Sequence, residues 1–208
     1  MIMSKEDIID SKLPIIEKFY SIQGEGFHTG KPAYFIRIAG CDIACDWCDT
    51  KFSWNNHPEW LMNVDDIVEV SSQNSAKAVV VTGGEPLSYN LDLLCESFKK
   101  KEIETFLETC GAYVLSGTWN WICLSPKKQN PPLDEIYNKA DELKVIIQSS
   151  VDFIWAEENA KKVNSNCKLF LQPEWSQFGE IIEEVVDYVK ENPKWNISIQ
   201  AHKFMHIP

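Results

Sequence analysis

The stretch Ala33-Tyr34-Phe35-Ile36-Arg37-Ile38-Ala39 runs directly into Gly40-Cys41-Asp42-Ile43-Ala44-Cys45-Asp46-Trp47-Cys48-Asp49-Thr50. The first part is almost entirely apolar, which predicts a buried strand. The second part is a C-x3-C-x2-C run, and its three sulfurs can reach one centre only if the chain forms a loop around it. Sites in α/β barrels and sheets form at the carboxyl ends of the strands, so this junction is the expected position of a site.

The three cysteines predict a metal or cluster ligand set. Thiolates are soft ligands that suit iron–sulfur clusters, zinc or copper(I). Structural zinc sites usually close with four ligands, often as two C-x2-C pairs, and neither a second pair nor an H-x3-H run follows here. Three ligands suit a [4Fe–4S] cluster with one iron open to a cofactor. Zinc, or plain structural cysteines, is the alternative at this point.

The rest of the chain alternates between strands and helices, which decides the expected fold class. This order implies a parallel sheet with right-handed crossovers. The 208 residues are fewer than the ~250 of a full eightfold barrel. We therefore expect an α/β fold, a partial, open TIM-type barrel of about six parallel strands with a reduced set of helices. Predicted strands cover 15–20, 33–39, 76–81, 104–109, 120–124, 142–148, 168–171 and 195–199, and predicted helices cover 64–73, 91–101, 131–140, 151–163 and 178–190.

Composition and charge limit the class of protein. Apolar residues make up 44% and charged residues 25%, as in globular proteins, and we expect an N-terminal extension over 1–14 and a single domain over 15–208. The net charge of −11, with scattered Lys and Arg, argues against a nucleic-acid partner. No apolar run suits a membrane span, and the first residues do not resemble a signal peptide. The seven cysteines form no disulfide framework, which indicates a cytoplasmic protein.

Two polar features near the cysteine loop suit a small ligand. Gln23 and Glu25 alternate with glycines, and an amide and a carboxylate there could bind the donor edge of a guanine-like ring, although a plain turn is the alternative. Arg37 lies in the middle of a buried strand, so it needs a carboxylate partner, either internal or from a substrate.

A glycine pair ends the strand at 76–81, in Thr82-Gly83-Gly84-Glu85-Pro86. Two glycines let the backbone approach a ligand closely, and Glu85 could then take an ammonium group. The pattern is not G-x-G-x-x-G, which excludes a dinucleotide-binding fingerprint.

Together these motifs resemble the radical S-adenosylmethionine superfamily, through the cysteine loop with Trp47 before its third cysteine and through the strand end at Gly83-Gly84-Glu85. Over residues 15–208 the chain is similar to the 7-carboxy-7-deazaguanine synthase family within it. That similarity rests on Phe19-Tyr20-Ser21-Ile22-Gln23-Gly24-Glu25-Gly26, Gly30-Lys31-Pro32-Ala33, Phe35-Ile36-Arg37, Cys48-Asp49-Thr50, His202-Lys203 and Pro208.

The resemblance implies an activity and its cofactors. The family reaction converts 6-carboxy-5,6,7,8-tetrahydropterin to 7-carboxy-7-deazaguanine with loss of ammonia, a radical ring contraction on the path to queuosine and other deazapurines. The implied cofactors are a [4Fe–4S] cluster, S-adenosylmethionine and Mg²⁺. A homodimer and a flavodoxin-like or ferredoxin-like electron donor are the implied partners.

The resemblance also implies residue roles. Cys41, Cys45 and Cys48 would hold the cluster, and Thr50 would bind Mg²⁺, the alternative being a helix N-cap. S-adenosylmethionine would contact Trp47, Cys48, Asp49, Gly84, Glu85, Ser125, Pro126, Lys127, Gln172, Pro173 and Glu174. The substrate would contact Ile22, Gln23, Gly24, Glu25, Arg37, Thr82, His202 and the carboxylate of Pro208.

Less specific roles remain open for three of these residues. Lys127 could be a solvated surface lysine, His202 a surface histidine, and Pro208 part of a frayed terminus. The remaining cysteines lie outside the family motifs and are interpreted as small buried hydrophobic residues, namely Cys95, Cys110, Cys123 and Cys167.

Two other functions share parts of this pattern. A glycyl-radical-type activating enzyme has the same cysteine spacing but lacks the arrangement from Gln23 to Arg37. A non-catalytic metal-binding module would need neither the glycine pair at 83–84 nor the long strand–helix alternation.

Overall fold

One sheet of nine strands runs through residues 11–208, the part of the chain that the structure, a computed structural model, describes. The strand order across the sheet is β3-β1-β2-β4-β5-β6-β7-β8-β9, so it stays open at β3 and β9. The strands are β1 Lys12–Ile22, β2 Pro32–Ile38, β3 Leu61–Asn63, β4 Ala78–Gly83, β5 Glu104–Thr109, β6 Trp121–Leu124, β7 Glu142–Ile147, β8 Lys168–Pro173 and β9 Trp195–Ile197.

The helices follow the strands as the alternation predicted. Strands β2 and β4 to β9 pair in parallel, which confirms an α/β fold with a partial, open barrel. Seven strands are parallel, against about six expected. The helices are α1 Val64–Ser71, α2 Asp92–Lys100, α3 Asp134–Lys139, α4 Asp152–Ala160, α5 Phe178–Glu191 and α6 Ala201–Met205.

The first strand differs from the expected strand–helix repeat. Strand β1 pairs antiparallel with β2, and it begins at Lys12, inside the expected extension, whose residues 1–10 lie outside the described part. Its other edge pairs antiparallel with β3, a strand that was not predicted. The loop 23–31 between β1 and β2 contains no α-helix and is too short for a parallel crossover, which needs a dozen or more residues.

Alternation along the strands separates two kinds of surface. Helix-facing positions such as Ile36, Val79 and Val81 join the main core together with residues of α1 to α5. Phe35 and Val80 face the other side, where they pack with Phe19 and other apolar side chains. Because side chains alternate with a period of two, polar residues on this second side share one face of the curved sheet.

Among helices lying wholly within residues 11–208, none has the length and apolar character that a bilayer crossing requires.

We predict that the packing of α2 on the sheet is a main source of stability. Phe98 in this helix is 0% exposed, so Phe98→Ala should lower the free energy of unfolding by about 3–5 kcal/mol. Leu93 in the same helix is 37% exposed, and Leu93→Ala should change it by about 0.5 kcal/mol. Urea denaturation measures both, and equal losses for the two variants would contradict this account of the core.

Candidate active site

A cavity of about 490 Å³ opens at the carboxyl ends of the parallel strands. Its floor comes from inward-facing positions of neighbouring strands: Thr82 on β4, Glu108 on β5, Cys123 on β6, Lys144 on β7 and Gln172 on β8. Apart from Pro126, which is buried, every site residue named from the sequence lines this cavity.

The cysteine loop forms one wall of the cavity. Backbone hydrogen bonds fix its base, from Gly40 N to Ser53 O (2.7 Å) and from Cys41 N to Trp54 O (3.1 Å). Burial raises the pKa of the Cys41 thiol, while N–H groups of Ile43 and Ala44 directed at its sulfur act in the opposite direction. Burial likewise raises the pKa of Cys45. The loop therefore already directs backbone donors toward a sulfur that would carry negative charge.

The donor set fits a cluster better than a single ion. Cys41, Cys45 and Cys48 all line the cavity. Within residues 11–208, no group of three or more His, Cys, Asp or Glu side chains is arranged around one metal ion. Three soft thiols on one loop are the ligand set of an iron–sulfur cluster that leaves one iron open, so the three cysteines suit [4Fe–4S] chemistry.

The glycine pair packs directly against the cysteine loop. Gly84 N donates to Ile38 O, and Glu85 N donates to Gly40 O, each at 2.9 Å. A Cβ on Gly84 would lie 2.3 Å from Gly40 O, and Gly83 has a φ of +153°. Only glycine allows this approach, so the two segments that would hold the cofactor form one continuous backbone surface.

The Glu85 side chain is engaged inside the protein. It is 1% exposed, and its carboxylate accepts hydrogen bonds from Leu87 N (3.0 Å), Thr109 Oγ1 (2.5 Å) and Cys110 N (2.8 Å). The sequence predicted that this carboxylate would take an ammonium group. In the structure the carboxylate joins the ends of β4 and β5, and Glu85 lines the cavity together with Gly84. Its contact with an ammonium group stays a prediction.

Lys127 is not a solvated surface lysine, so that alternative is wrong. Its ammonium donates to Ser125 O (2.8 Å) and Ser125 Oγ (2.6 Å) and lies 5.1 Å from the centre of the Trp47 ring. No carboxylate of residues 11–208 approaches it within 4.0 Å. Burial lowers the pKa of Lys127. A cation held beside the cysteine loop without a carboxylate is a ready partner for an anionic ligand group.

The residues after β8 are held by local hydrogen bonds. Gln172 Oε1 accepts from Ser198 Oγ at 2.6 Å, and the Glu174 carboxylate accepts from Ser176 N and Gln177 N at 3.0 and 3.2 Å. These contacts fix the backbone of 172–174 where it lines the cavity.

A polar network surrounds Glu25 in the loop 23–31. Glu25 forms an ion pair with Lys144, which is 5% exposed, and accepts from Gln200 Nε2 at 2.8 Å. Although burial acts to raise it, the Lys144 ammonium and these hydrogen bonds hold the pKa of Glu25 below its usual value. Conversely, although burial acts to lower it, Glu25 and neighbouring acidic groups hold the pKa of Lys144 well above its usual value.

Glu108 extends this network on the cavity floor. Its carboxylate accepts from Gln23 Nε2 and from Thr82 Oγ1, each at 3.0 Å. Sequence reasoning missed both Glu108 and Lys144. The available signal was a charged residue two positions from another residue on the same inward face, Glu108 after Phe106 and Lys144 after Glu142.

Arg37 has an internal partner. Its Nε donates to Glu17 Oε2 on β1 at 2.7 Å, and its guanidinium lies 6.0 Å from the centre of the Phe52 ring. Glu17 was also missed from the sequence, and its position follows from the register Glu17↔Arg37 between β1 and β2. Both side chains line the cavity.

The last residues form a docked segment rather than a frayed one. Pro208 remains exposed, but its backbone oxygen accepts from Ser21 Oγ at 3.0 Å. The Phe204 ring packs edge to face on Trp175 at 5.3 Å. His202 is half-buried, and burial lowers its pKa. Helix α6 thus brings both His202 and Pro208 to the cavity.

Thr50 stands at the N-cap position of a short 3-10 helix, Lys51–Ser53, but its side chain makes no capping hydrogen bond. Its hydroxyl lies 3.5 Å from the Cys48 sulfur. The helix-cap alternative is therefore correct for the backbone only, and Thr50 lines the cavity.

The four remaining cysteines are buried, as predicted. Cys110 and Cys123 differ from the prediction in one respect, because both also line the cavity.

Comparisons with known proteins agree with this arrangement. Residues 35–118 match the model of the Radical SAM superfamily. A 7-carboxy-7-deazaguanine synthase of Flavobacterium psychrophilum is 53% identical over 94% of this chain and 93% of its own length. One from Synechocystis sp. is 40% identical over 97% and 96%.

A solved structure extends the likeness to the whole fold. The crystal structure of QueE from Escherichia coli matches with a TM-score of 0.84 and 27% identity, covering 96% of this chain and 99% of that one. With relatives this similar over nearly its full length, the chain belongs to the 7-carboxy-7-deazaguanine synthase family of the radical S-adenosylmethionine superfamily.

Proposed function

We propose that this chain converts 6-carboxy-5,6,7,8-tetrahydropterin to 7-carboxy-7-deazaguanine with loss of ammonia. The observation that carries the proposal is that one cavity of about 490 Å³ is lined by the cysteine loop and Lys127 and also by Glu25, Arg37 and Pro208. A cofactor and a second small molecule can therefore meet in the same cavity.

Cys41, Cys45 and Cys48 would hold a [4Fe–4S] cluster and leave one iron for S-adenosylmethionine. When bound, this pair supplies the radical that removes a hydrogen atom from C6 of the pterin, a reaction beyond the reach of protein side chains. The cysteine loop holds its sulfurs at a fixed position, because its base is bonded to residues 53–54.

The chain's own groups would orient the methionine end of S-adenosylmethionine. Backbone atoms at Gly84 suit its amino group, and the Lys127 ammonium suits its carboxylate. Ser125 holds Lys127 in place through two hydrogen bonds. Backbone atoms of 47–49 and 172–174 would contact the remainder.

The substrate side is rich in acceptors. Glu25 and Glu108 present carboxylate oxygens, which suit the amino and ring N–H groups of an amino-pyrimidinone. Arg37 would bind the substrate carboxylate through nitrogens other than the Nε bonded to Glu17. His202 and the Pro208 carboxylate would complete this end, and Thr50 would offer a hard oxygen to Mg²⁺.

The wider setting belongs to the same proposal. We infer a cytoplasmic homodimer, reduced by a flavodoxin-like or ferredoxin-like protein, with the chain from strand β1 onward as one domain. The product would enter queuosine or another deazapurine. The acceptor-rich floor and the family membership do not favour a glycyl-radical-type activating enzyme or a non-catalytic metal-binding module.

The direct test reconstitutes the protein anaerobically with iron and sulfide, reduces it with dithionite and records its electron paramagnetic resonance spectrum. We expect a [4Fe–4S] signal that S-adenosylmethionine perturbs. The reduced protein should then form 7-carboxy-7-deazaguanine from the carboxytetrahydropterin and Mg²⁺. Bound zinc, or a cluster that the cofactor leaves unchanged, would exclude the radical mechanism, and cofactor cleavage without product would point to a different substrate.

We predict that Lys127→Met weakens S-adenosylmethionine binding and leaves pterin binding unchanged. A hydrogen bond to a charged group contributes about 1.5–3 kcal/mol, so the Kd should rise roughly 10- to 150-fold. The matched control is Lys128→Met, because the neighbouring lysine is exposed and pairs with Asp152 outside the cavity. Calorimetric titration of the cluster-loaded protein measures both, and equal Kd values for the two variants would remove Lys127 from the site.

We predict that deleting Pro208 weakens substrate binding and leaves cluster content intact. The truncation moves the terminal carboxylate back to Ile207 and away from this position, so the substrate Kd should rise about tenfold or more. Met205→Ala is the control, because Met205 is exposed in the same segment and does not line the cavity. Unchanged substrate affinity in the truncated protein would show that Pro208 does not bind the substrate.

A further inference from the structure

Gln200 lies just before helix α6 and is 8% exposed. Its Nε2 donates to Glu25 Oε1 at 2.8 Å and to Asp49 Oδ2 at 3.0 Å. Its Oε1 accepts from Lys203 Nζ at 2.9 Å. Every polar atom of this side chain is therefore engaged, and both amide hydrogens point to carboxylates.

The two carboxylates belong to different parts of the site. Glu25 lies in the loop after β1, on the side assigned to the substrate, and is paired with Lys144. Asp49 directly follows Cys48 in the cysteine loop. Gln200 thus connects the loop 23–31, which holds Glu25, directly to the cysteine loop, which holds Asp49. Backbone contact supports it, since Ala201 N donates to Gly24 O at 2.9 Å.

Electrostatic interactions strengthen the hydrogen bonds from Gln200 to the two carboxylates. Asp49 Oδ2 also accepts from Lys203 Nζ at 2.8 Å, so a charged donor holds this carboxylate beside the Gln200 amide. Although burial acts to raise it, the Lys144 ammonium and hydrogen bonds that include the one from Gln200 hold the pKa of Glu25 below its usual value. Hydrogen bonds to charged acceptors are the stronger kind. An NH₂ group also satisfies two carboxylates at once without adding a charge.

We propose that Gln200 is a positioning residue that couples substrate binding to the placement of S-adenosylmethionine at the cysteine loop. The inference rests on the proposed function. A substrate that binds Glu25 fixes that carboxylate, which fixes the Gln200 amide and, through it, Asp49 and the adjoining Cys48. Because coupling between two binding sites is reciprocal, bound S-adenosylmethionine should strengthen substrate binding by the same factor.

The test measures the Kd of S-adenosylmethionine for the oxidised, cluster-loaded protein with and without the carboxytetrahydropterin. In the wild-type protein we expect the substrate to lower this Kd at least about fivefold, the lower end of typical coupling between sites. Gln200→Met keeps the length and volume of the side chain but removes both donors, so the ratio should fall to about 1. Gln148→Met is the control, because Gln148 is exposed and lies outside the cavity, and it should keep the wild-type ratio.

A second variant keeps the test decisive if Gln200→Met fails to retain the cluster. Gln200→Glu retains the length and the Lys203 contact but sets a third carboxylate against Glu25 and Asp49, and it should also abolish the coupling. Iron content and circular dichroism establish that each variant is folded and loaded. Under reducing conditions, both variants should release more 5′-deoxyadenosine per product than wild type.

The outcomes separate this inference from the proposed function. A wild-type ratio retained in either folded variant, or a ratio of 1 in the wild-type protein, would overturn the role of Gln200 while product formation stands. Absence of product from the wild-type protein, with the cofactor cleaved, would instead count against the proposed function and with it the substrate side of the coupling.

Discussion

A buried ammonium is the constraint on which the cavity depends. Lys144 lies among the carboxylates of Glu25, Glu108 and Glu142, and it forms an ion pair with Glu25. Unpaired carboxylates inside a protein are costly, and removing one partner of a buried pair leaves the other uncompensated. Burial accordingly raises the pKa of Glu142, which is not ion-paired with the lysine. The ammonium of Lys144 thus stabilises negatively charged carboxylates on the cavity floor, which burial would otherwise disfavour.

The period of the β-strand places this floor. Residues 36, 79 and 81 face the helices and form the core. Their neighbours on the same strands, such as Phe35 and Val80, face the open interior of the sheet. The same alternation brings Thr82, Glu108 and Lys144 side by side, although they are far apart in the sequence. The carboxyl ends of the strands then add the cysteine loop and the glycine pair. Core and site are therefore two faces of the same strands.

Much of this was predictable from local sequence. Apolar runs such as Val79–Val81 gave the parallel strands, because strands covered on both faces are continuously apolar. The cysteine loop and the glycine pair predicted where a cofactor would bind. Long-range pairings were not predictable: the antiparallel partner of β2, the Glu17 contact of Arg37 and the Glu25–Lys144 pair depend on strand order and register. The internal hydrogen bonds of the Glu85 carboxylate were also not predictable, because two of its donors, Thr109 and Cys110, lie at the end of the next strand.

The contact between the glycine pair and the cysteine loop also sets a rule for protein engineering. Gly84 N and Glu85 N donate to Ile38 O and Gly40 O, and no side chain fits between the two segments. The conformation of the cysteine loop therefore depends on the neighbouring strand end and would not be kept by the loop alone. A graft of residues 40–50 into another parallel sheet would need the neighbouring strand end at 82–85 and its spacing as well. The portable unit is a pair of adjacent strands with their two termini, rather than a cysteine motif.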